Sequence, residues 1–282
     1  MAIALIAGTG GLGAKVAYAA PSNTTSYYES TTYYGTLQNQ GCTAARGPSG
    51  VVVLDFGEPD YSGGTYGTVD FGNHFDSDNA IYHAVANFAY GAWNCRVSTT
   101  NLAVAIGTSN YPGGYVPSWN SAGSAWAGLV NEEQSYIASV GYQNIIGAYG
   151  ADDIETEWAS YSASSSFVSG YNASSSRIFF DYGDDTPGYW SNSQVYYVAY
   201  GAAANWPLPE IYYNADATQD WAPLAAWSCT NGSSGTMHFK GTMSEYPTGN
   251  TPSAAFNDLY NALGAYSCLV NTRGTMIFST NI

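Results

Sequence analysis

Positive charge is scarce in this chain. Six Lys and Arg residues stand against 21 Asp and Glu among 282 residues, which gives a formal net charge of −15 at pH 7. A surface of that sign repels phosphate backbones and anionic lipid, so no nucleic-acid partner is expected. Only 10% of the residues are charged, whereas 16% are aromatic. Solvation by the hydroxyls of Ser, Thr and Tyr and the amide of Asn, in place of Lys and Glu, is typical of secreted proteins.

Sequence motifs of several enzyme classes are also missing. The chain contains no Cys-x-x-Cys pair, no His-Glu-x-x-His and no EF-hand loop, which disfavours a zinc site, a thioredoxin-type site and a built calcium site. The segment Gly107-Thr-Ser109-Asn-Tyr111 lacks the last glycine of a nucleophile elbow, which disfavours a serine hydrolase. We therefore expect no metal and no other cofactor.

The four cysteines form an even set, which in an exported protein predicts two disulfides. Three pairings are possible. We favour Cys42 with Cys95 and Cys229 with Cys268, because each pair closes a modest loop near one end of the chain. Four buried free thiols are the alternative.

The first twenty residues resemble a nucleotide motif and an export signal at once. Gly8-Thr-Gly10-Gly-Leu-Gly13 fits the dinucleotide fingerprint, but a polar Ser/Thr/Tyr stretch follows it where a βαβ unit is needed, so no nucleotide partner is expected. The apolar run ends in Ala17-Tyr18-Ala19, which predicts a signal peptide over residues 1–20 and a secreted, extracellular protein. The n-region lacks a basic residue, since Lys15 comes late, and a retained anchor or assembly helix is the alternative.

Residues 21–45 are polar and repeat Ser-Tyr-Tyr and Thr-Tyr-Tyr. This composition predicts a linker or an arm lying on the domain, followed by one domain over residues 46–282. Self-association through residues 1–45 is possible on the same grounds, as in a structural surface protein.

From residue 50 onward, apolar runs alternate with helical stripes, which predicts a parallel sheet with helices outside it. The length and the number of strands favour a single (β/α)8-like TIM barrel supported by disulfides, with an open sheet as the alternative. The predicted strands are 51–56, 102–106, 144–148, 177–180, 194–200, 210–213 and 236–240. The predicted helices carry Ile81 to Phe88, Trp126 to Val140, and a last stripe that starts at Thr251 and Pro252 and stops at Gly264.

Carboxylates follow three of these strands. Asp55 ends the first, Asp153 and Glu155 end the third, and Asp181 ends the fourth. Strand ends of a barrel face the active-site mouth, and clustered carboxylates raise one another's pKa, so that one acid can stay protonated. One protonated and one ionised carboxyl group is what glycoside cleavage requires. The predicted catalytic residues are therefore Glu155, Asp153, Asp55 and Asp181.

Aromatic side chains near these strand ends fit the same chemistry, because sugar rings pack their C–H faces on aromatic rings. The predicted polysaccharide-binding residues are Tyr149, Tyr182, Trp158, Trp190 and Trp206.

The motif Asp153-Ile154-Glu155 at a strand end, with Asp55 on an earlier strand, resembles glycoside-hydrolase barrels of the bacterial muramidase type. It is distantly similar to the D-x-x-D-x-D-x-E motif of chitinases, although Asp152 adjoins Asp153 here, so the full motif is absent. From Gly41 onward the chain also resembles a group of secreted actinobacterial-type proteins, which brings no activity. The muramidase resemblance implies that Glu155 is the general acid, that Asp153 orients or stabilises, and that Asp55 assists.

Two other interpretations of these residues stay open. Acids after a strand often cap the next helix, and Glu155 could lie in a helical first turn. A non-catalytic carbohydrate-binding cleft would also need the aromatic residues. The neutral or cell-wall glycan that either protein would recognise is not defined by the sequence.

Overall fold

The computed structural model describes residues 20–282 as a mixed α/β fold. The strands, in chain order, are β1 (Thr24–Thr25), β2 (Tyr27–Tyr28), β3 (Gly50–Asp55), β4 (Glu58–Ser62), β5 (Thr65–Val69), β6 (Phe75–Ser77), β7 (Leu102–Ser109), β8 (Ile146–Asp153), β9 (Phe179–Asp181), β10 (Asn205–Pro207), β11 (Gly241–Ser244) and β12 (Phe278–Asn281). The helices are α1 (Tyr34–Arg46), α2 (Asp78–Cys95), α3 (Trp119–Ser139), α4 (Tyr161–Ser174), α5 (Asn192–Tyr196), α6 (Ala222–Asn231) and α7 (Pro252–Gly264).

Two parallel sheets contain most of these strands. The larger has six strands in the order β10-β9-β8-β7-β3-β2, and the smaller has three in the order β1-β12-β11. Strands β4, β5 and β6 form a separate antiparallel sheet inserted between β3 and α2.

Hydrogen bonds join the two parallel sheets at both edges. Only Ser26 separates β1 from β2, and its backbone N–H donates to Asn281 of the small sheet at 2.7 Å while Val53 of the large sheet donates to its hydroxyl at 2.9 Å. At the opposite edge, the N–H of Lys240 donates to Pro207 and the N–H of Met243 donates to Pro209, each at 2.9 Å.

The strands of the large sheet bury both faces. Val52 and Leu54 pack in the core beneath the helices, whereas Val51 and Val53 pack in a separate cluster together with Met243 of the small sheet. An unbroken apolar run predicts this double burial, because a parallel sheet is covered on both sides. We call the face toward Met243 the inner face and the other the helix face.

Helix ends follow the sequence closely. The side chains of Ser77 and Thr251 accept hydrogen bonds from the backbone of Ala80 and Ala254, which caps α2 and α7. Pro252 occupies the first turn of α7, and the helix ends at Gly264, as its sequence predicts.

Residues 24–46 belong to the sheets and helices and are not a linker. Helix α1 packs against α2 so closely that a Cβ on Gly41 would meet the carbonyl oxygen of Phe88 at 2.0 Å, and one on Gly91 would meet that of Gln38 at 1.9 Å. Composition conceals this helix because Leu37 is the single large apolar residue on its buried face, beside Gly41 and Ala45, while the rest of the segment is mostly polar.

The predicted disulfide pairing is confirmed. Cys42 bonds to Cys95 and joins α1 to the last residue of α2. Cys229 bonds to Cys268 and joins α6 to a 3-10 turn over Ser267–Leu269.

Three of the predicted strands are wrong or displaced. Residues 194–200 are helical, since α5 continues into a π-helical turn over Tyr197–Gly201. Residues 210–213 contribute one bridge, between Glu210 and Met243, and the strand predicted at 236–240 begins only at Gly241. The strand prediction at 194–200 relied on aromatic and β-branched residues. A short run of such residues is equally compatible with a buried helix, and here the helix is formed.

The signal peptide predicted over residues 1–20, and the glycine motif within it, lie outside the described residues except for Ala20. No helix in residues 20–282 is long and apolar enough to cross a membrane.

Candidate functional site

Strand alternation turns three carboxylates toward the inner face at the carboxyl end of the sheet. Ala151 and Leu208 belong to the inner-face cluster, and Asp153 and Glu210 each follow one of them by two residues. Asp55 follows Val53 in the same way. Side chains two residues apart on an extended chain point the same way, so these acids share one side of the sheet.

Asp153, Glu155 and Glu210 converge on one point, and we call them the carboxylate trio. Each offers an oxygen atom that lies within 4.8 Å of the others. The backbone of Glu155 is held by Asn110, whose side chain accepts from its N–H at 3.0 Å and donates to its carbonyl at 2.9 Å. This double contact places Glu155 beyond the end of β8 and beside Asp153.

The trio is deeply buried and incompletely hydrogen-bonded. Asp153 is 4% exposed, Glu155 7% and Glu210 3%, and neither Asp153 Oδ1 nor Glu210 Oε1 has a hydrogen-bond partner among the described residues. Tyr212 hydrogen-bonds to the carboxyl group of Glu210. Burial, followed by the repulsion of Asp184 and Glu157, raises the pKa of Glu155 to about 8.

The other two members of the trio are affected more strongly. Burial and then the charges of Glu210 and Glu155 raise the pKa of Asp153 well above its usual range. Burial and the charge of Glu155 do the same for the pKa of Glu210, against which the hydrogen bond from Tyr212 acts. Desolvation and mutual repulsion both favour the neutral acid, so the three groups are not all ionised together near neutral pH.

Asp55 lies on the same face but outside the trio. It is fully buried, its Oδ1 accepts from the N–H of Gly57 at 2.8 Å, and its Oδ2 has no partner among the described residues. Burial raises the pKa of Asp55 to about 7, while the hydrogen bond from the N–H of Gly57 opposes the change. Asp55 contributes negative charge toward Asp153 without reaching it.

Asp181 is not a member of the trio, although its charge is among those that raise the pKa of Glu155. Phe179 belongs to the helix-face core, so Asp181, two residues on, faces the helices and is paired in register with Asp152. Burial raises the pKa of Asp181 to about 8. Asp181 lies on the opposite side of its strand from the trio's inner face.

A cavity of about 550 Å³ opens onto Asp153. Two aromatic pairs line it: Tyr28 with Phe71, ring centroids 4.8 Å apart, and Tyr111 with Trp158, 5.4 Å apart. The inserted antiparallel sheet also lines the cavity. The lining residues are Glu58 of β4, Val69 of β5, and Asp70, Phe71 and Asn73 in the turn between β5 and β6.

Of the aromatic residues predicted to bind sugar, Trp158 lines this cavity. Tyr182 is fully buried, and its hydroxyl donates to Thr108 at 2.9 Å. Tyr149 and Trp206 lie toward the amino ends of their strands, under Arg177 and Lys240 respectively, and Trp190 packs on Tyr161.

Sequence reasoning missed Glu210 and most of the aromatic wall. The strand that leads to Glu210 reads Asn205-Trp-Pro-Leu-Pro, and two prolines hide its apolar pattern. Tyr28 lies in the stretch that composition predicts as an arm. Phe71 and Tyr111 are in loops, where no periodicity marks them.

The site lacks a protein cation. Five of the six Lys and Arg residues lie within residues 20–282, and none of them lines the cavity. Three carboxylate oxygens so placed can share protons with a substrate, or they can ligate a hard divalent cation such as Ca²⁺ or Mn²⁺.

Comparison with known proteins adds no assignment. No protein-family model matches the chain, and no curated protein is significantly similar to it in sequence.

Proposed function

We propose that the chain is a secreted glycoside hydrolase in which Glu155 is the general acid and Glu210 the nucleophile. The observation that carries the proposal is the carboxylate trio, with oxygens within 4.8 Å of one another, whose member Asp153 lines a cavity that also holds two aromatic pairs. Aromatic walls suit sugar rings, and paired carboxyl groups suit the cleavage of the bond between them.

The proposed fold is a closed (β/α)8 barrel. If residues 24–28 count as one strand and residues 205–210 as another, eight parallel strands follow one another around the molecule. The hydrogen bonds at Ser26, Lys240 and Met243 support closure, since they join the large sheet to the small one at both edges. The trio then lies at the mouth formed by the carboxyl ends, where barrel enzymes hold their active sites.

The reaction has two steps. Glu155 protonates the glycosidic oxygen as the bond from C1 to that oxygen breaks, while the carboxylate of Glu210 forms a bond to C1. The leaving sugar departs with the proton. A water molecule then attacks C1, Glu155 takes up its proton, and Glu210 leaves as a carboxylate, so the net change is addition of one water.

The assignment of roles follows from the surroundings of each acid. The hydrogen bond from Tyr212 opposes part of the rise in the pKa of Glu210, and on that ground we assign to Glu210 the ionised role that a nucleophile requires. Glu155 lies next to Asp184 and Glu157, which favour its protonated form. Asp153, between them, stabilises the charge that develops at C1, and Asp55 holds the inner face negative.

The separation of the acids favours retention of configuration. Retaining enzymes place the two carboxyl groups about 5–5.5 Å apart, whereas inverting enzymes leave about 6.5–9.5 Å for a water molecule. Oxygens within 4.8 Å fit the shorter distance.

Secretion is part of the proposal. Two disulfides support it, because such bonds persist in oxidising compartments.

The test is a screen of the full chain on peptidoglycan, chitin and neutral glycans, with proton NMR of the first product to identify its anomer. We expect retention. Glu155→Gln should lower kcat on natural substrates about 10²–10⁴-fold. For a dinitrophenyl glycoside, whose leaving group needs no proton, the variant should keep kcat/KM, while kcat falls because the second step has lost its base. Glu210→Gly should lose activity on both and recover it with azide, which replaces the missing nucleophile.

Glu132→Gln is the matched control, since Glu132 is exposed on α3 and the substitution changes the same charge. A Glu155→Gln variant as active as this control overturns the assignment. Glycan binding without hydrolysis in the parent would indicate instead the carbohydrate-binding function, for which the aromatic walls suffice.

A further inference from the structure

We infer that the glycan recognised by this cleft carries free amino groups, as a polymer of glucosamine-type units does. The inference rests on the proposed function and names its substrate class. It follows from three observations: the charge of the cavity, the unpaired buried oxygens of the trio, of which Asp153 lines the cavity, and the exposed aromatic rings.

The charge of the cavity has one sign. Glu58, Asp70, Asp153 and Glu245 are among the residues that line it, and no Lys, Arg or His is, within residues 20–282. The chain's own cations are engaged elsewhere: Arg96 lies over Trp93 and Arg273 over Tyr260. An anionic glycan would be repelled, and a neutral one would leave the negative charge uncompensated.

The buried oxygens of the trio require a donor. Asp153 Oδ1 and Glu210 Oε1 have no partner in the described part of the chain, although both residues are at least nine-tenths buried. An unpartnered buried carboxylate is costly, and this cost falls when a cation supplies both charge and hydrogen bonds. An ammonium group has three N–H donors, and the trio offers three oxygens within 4.8 Å.

The aromatic walls suit a cationic sugar equally well. Phe71 is 49% exposed, Tyr111 46% and Tyr28 39%, so their faces are open toward the cavity they line. Ring faces attract an ammonium group as well as sugar C–H groups. A polymer with amino groups on successive units therefore meets carboxylates in the depth of the cleft and ring faces along its walls.

The test compares two hexamers that differ only in acetylation, glucosamine and N-acetylglucosamine, by isothermal titration calorimetry of the full chain in a chelating buffer. We expect the glucosamine hexamer to bind at least about tenfold more tightly. That preference should shrink as NaCl rises from about 0.05 M to about 0.5 M, because salt screens charge in an open cleft.

Variants locate the effect. Glu58→Gln and Glu245→Gln should each weaken glucosamine-hexamer binding about threefold to tenfold and leave N-acetyl-hexamer binding unchanged. Glu132→Gln removes the same charge from the outer helix and should change neither. Equal losses of glucosamine-hexamer affinity in all three variants would show that binding depends only on the net charge of the protein, and would overturn the inference.

Other outcomes separate this inference from the proposed function. Cleavage of the N-acetyl hexamer with no preference for glucosamine overturns the substrate class and leaves the hydrolase. A strong glucosamine preference without cleavage of any glycan supports the substrate class and overturns the hydrolase. Tight binding of Ca²⁺ or Mn²⁺ alone, with the two hexamers indistinguishable, overturns the inference in favour of a metal site.

Discussion

The two ends of the same parallel strands have opposite chemistry. At the carboxyl end, Asp153, Glu155 and Glu210 are buried without a cation and with unpaired oxygens. At the amino end, a second cavity of about 470 Å³ is lined by Arg177 and Tyr149, together with neutral polar residues, and carries no carboxylate within the described chain.

Polar groups at the amino end are satisfied by one another. The guanidinium of Arg177 donates twice to the carbonyl of Ala148, at 2.9 and 2.6 Å, and lies over the ring of Tyr149. Gln134 accepts from the N–H of Ala148 at 3.0 Å. These contacts indicate a structural role for Arg177 and Gln134.

Both disulfides strengthen that same end. Cys95 is the last residue of α2, which leads toward the amino end of β7, and Cys229 lies near the end of α6, which precedes β11. The molecule is thus cross-linked at the end where Arg177 has its hydrogen-bond acceptor, and the unpaired carboxylate oxygens lie at the other end. Stability and chemistry are divided between the two ends, as is common in α/β folds.

The largest effect is expected from Asp153→Asn, which tests whether the carboxyl end serves chemistry and not stability. We expect kcat to fall about 10²–10³-fold, because charge stabilisation at C1 is lost. The melting temperature at pH 8 should rise, because a buried carboxylate without a partner becomes neutral. Steady-state kinetics and circular dichroism melts check both; a variant that loses stability would show that the trio is structural.

Removing the disulfide between Cys42 and Cys95 should lower stability and leave activity unchanged. Cys42 and Cys95 are 53 residues apart, and replacing both by serine should lower the free energy of unfolding by about 2–4 kcal/mol. Activity at a temperature below the melting transition should be unchanged. Urea denaturation and kinetics measure the two effects, and a large loss of kcat in the folded double variant would contradict the division.

The pH dependence of stability tests the buried acids outside the site. Burial raises the pKa of Glu133, on α3, to about 8. An unfolded glutamate titrates near pH 4.3, so between about pH 4.5 and 8 the folded state keeps a proton that the unfolded state has lost. Stability therefore decreases as pH rises through that window, by up to a few kcal/mol for this group.

Glu133→Gln should flatten this dependence without changing kcat. Urea titrations at pH 5 and pH 8 measure the difference. Glu132→Gln on the same helix should reduce it much less, because the charge of Glu132 raises the pKa of Glu133 less than burial does. An unaltered slope in Glu133→Gln would show that Glu133 does not hold its proton in the folded state.

The smallest effect is expected from Arg177→Met at the amino end. The substitution keeps a long apolar stem but removes the hydrogen bonds to Ala148 and the cation over Tyr149, and should cost about 1–2 kcal/mol of stability. Glycan binding and kcat should remain at the parent's values. A changed substrate affinity would mean that the second cavity also takes part in recognition.

Local patterns predicted most of what depends on neighbouring residues. The apolar runs of β3, β7 and β8, the cap of α7 at Thr251, and the acids that follow these strands could all be predicted, because period and caps depend on few residues. The pairing Asp153 with Glu155 was predicted from their spacing, and the trio contains both.

The face to which a strand residue points was harder to predict. Asp181 ends its strand as predicted but faces the helices, because the position of Phe179 in the core fixes the alternation of β9. A run of three apolar residues carries no information about which side is inner. Only the packing of the whole sheet decides that.

The sequence by itself determined the cap of α7, the main parallel strands and two of the three clustered carboxylates, and it favoured one disulfide pairing of three. The tertiary structure decided between these pairings, and it alone decided that Glu210 completes the trio, that Tyr28, Phe71 and Tyr111 line the cavity, and that no Lys or Arg of residues 20–282 does. The reason is physical. Caps and periodicity act over a few residues, whereas Glu210 lies 55 residues from Glu155 along the chain and meets it only through strand order and register.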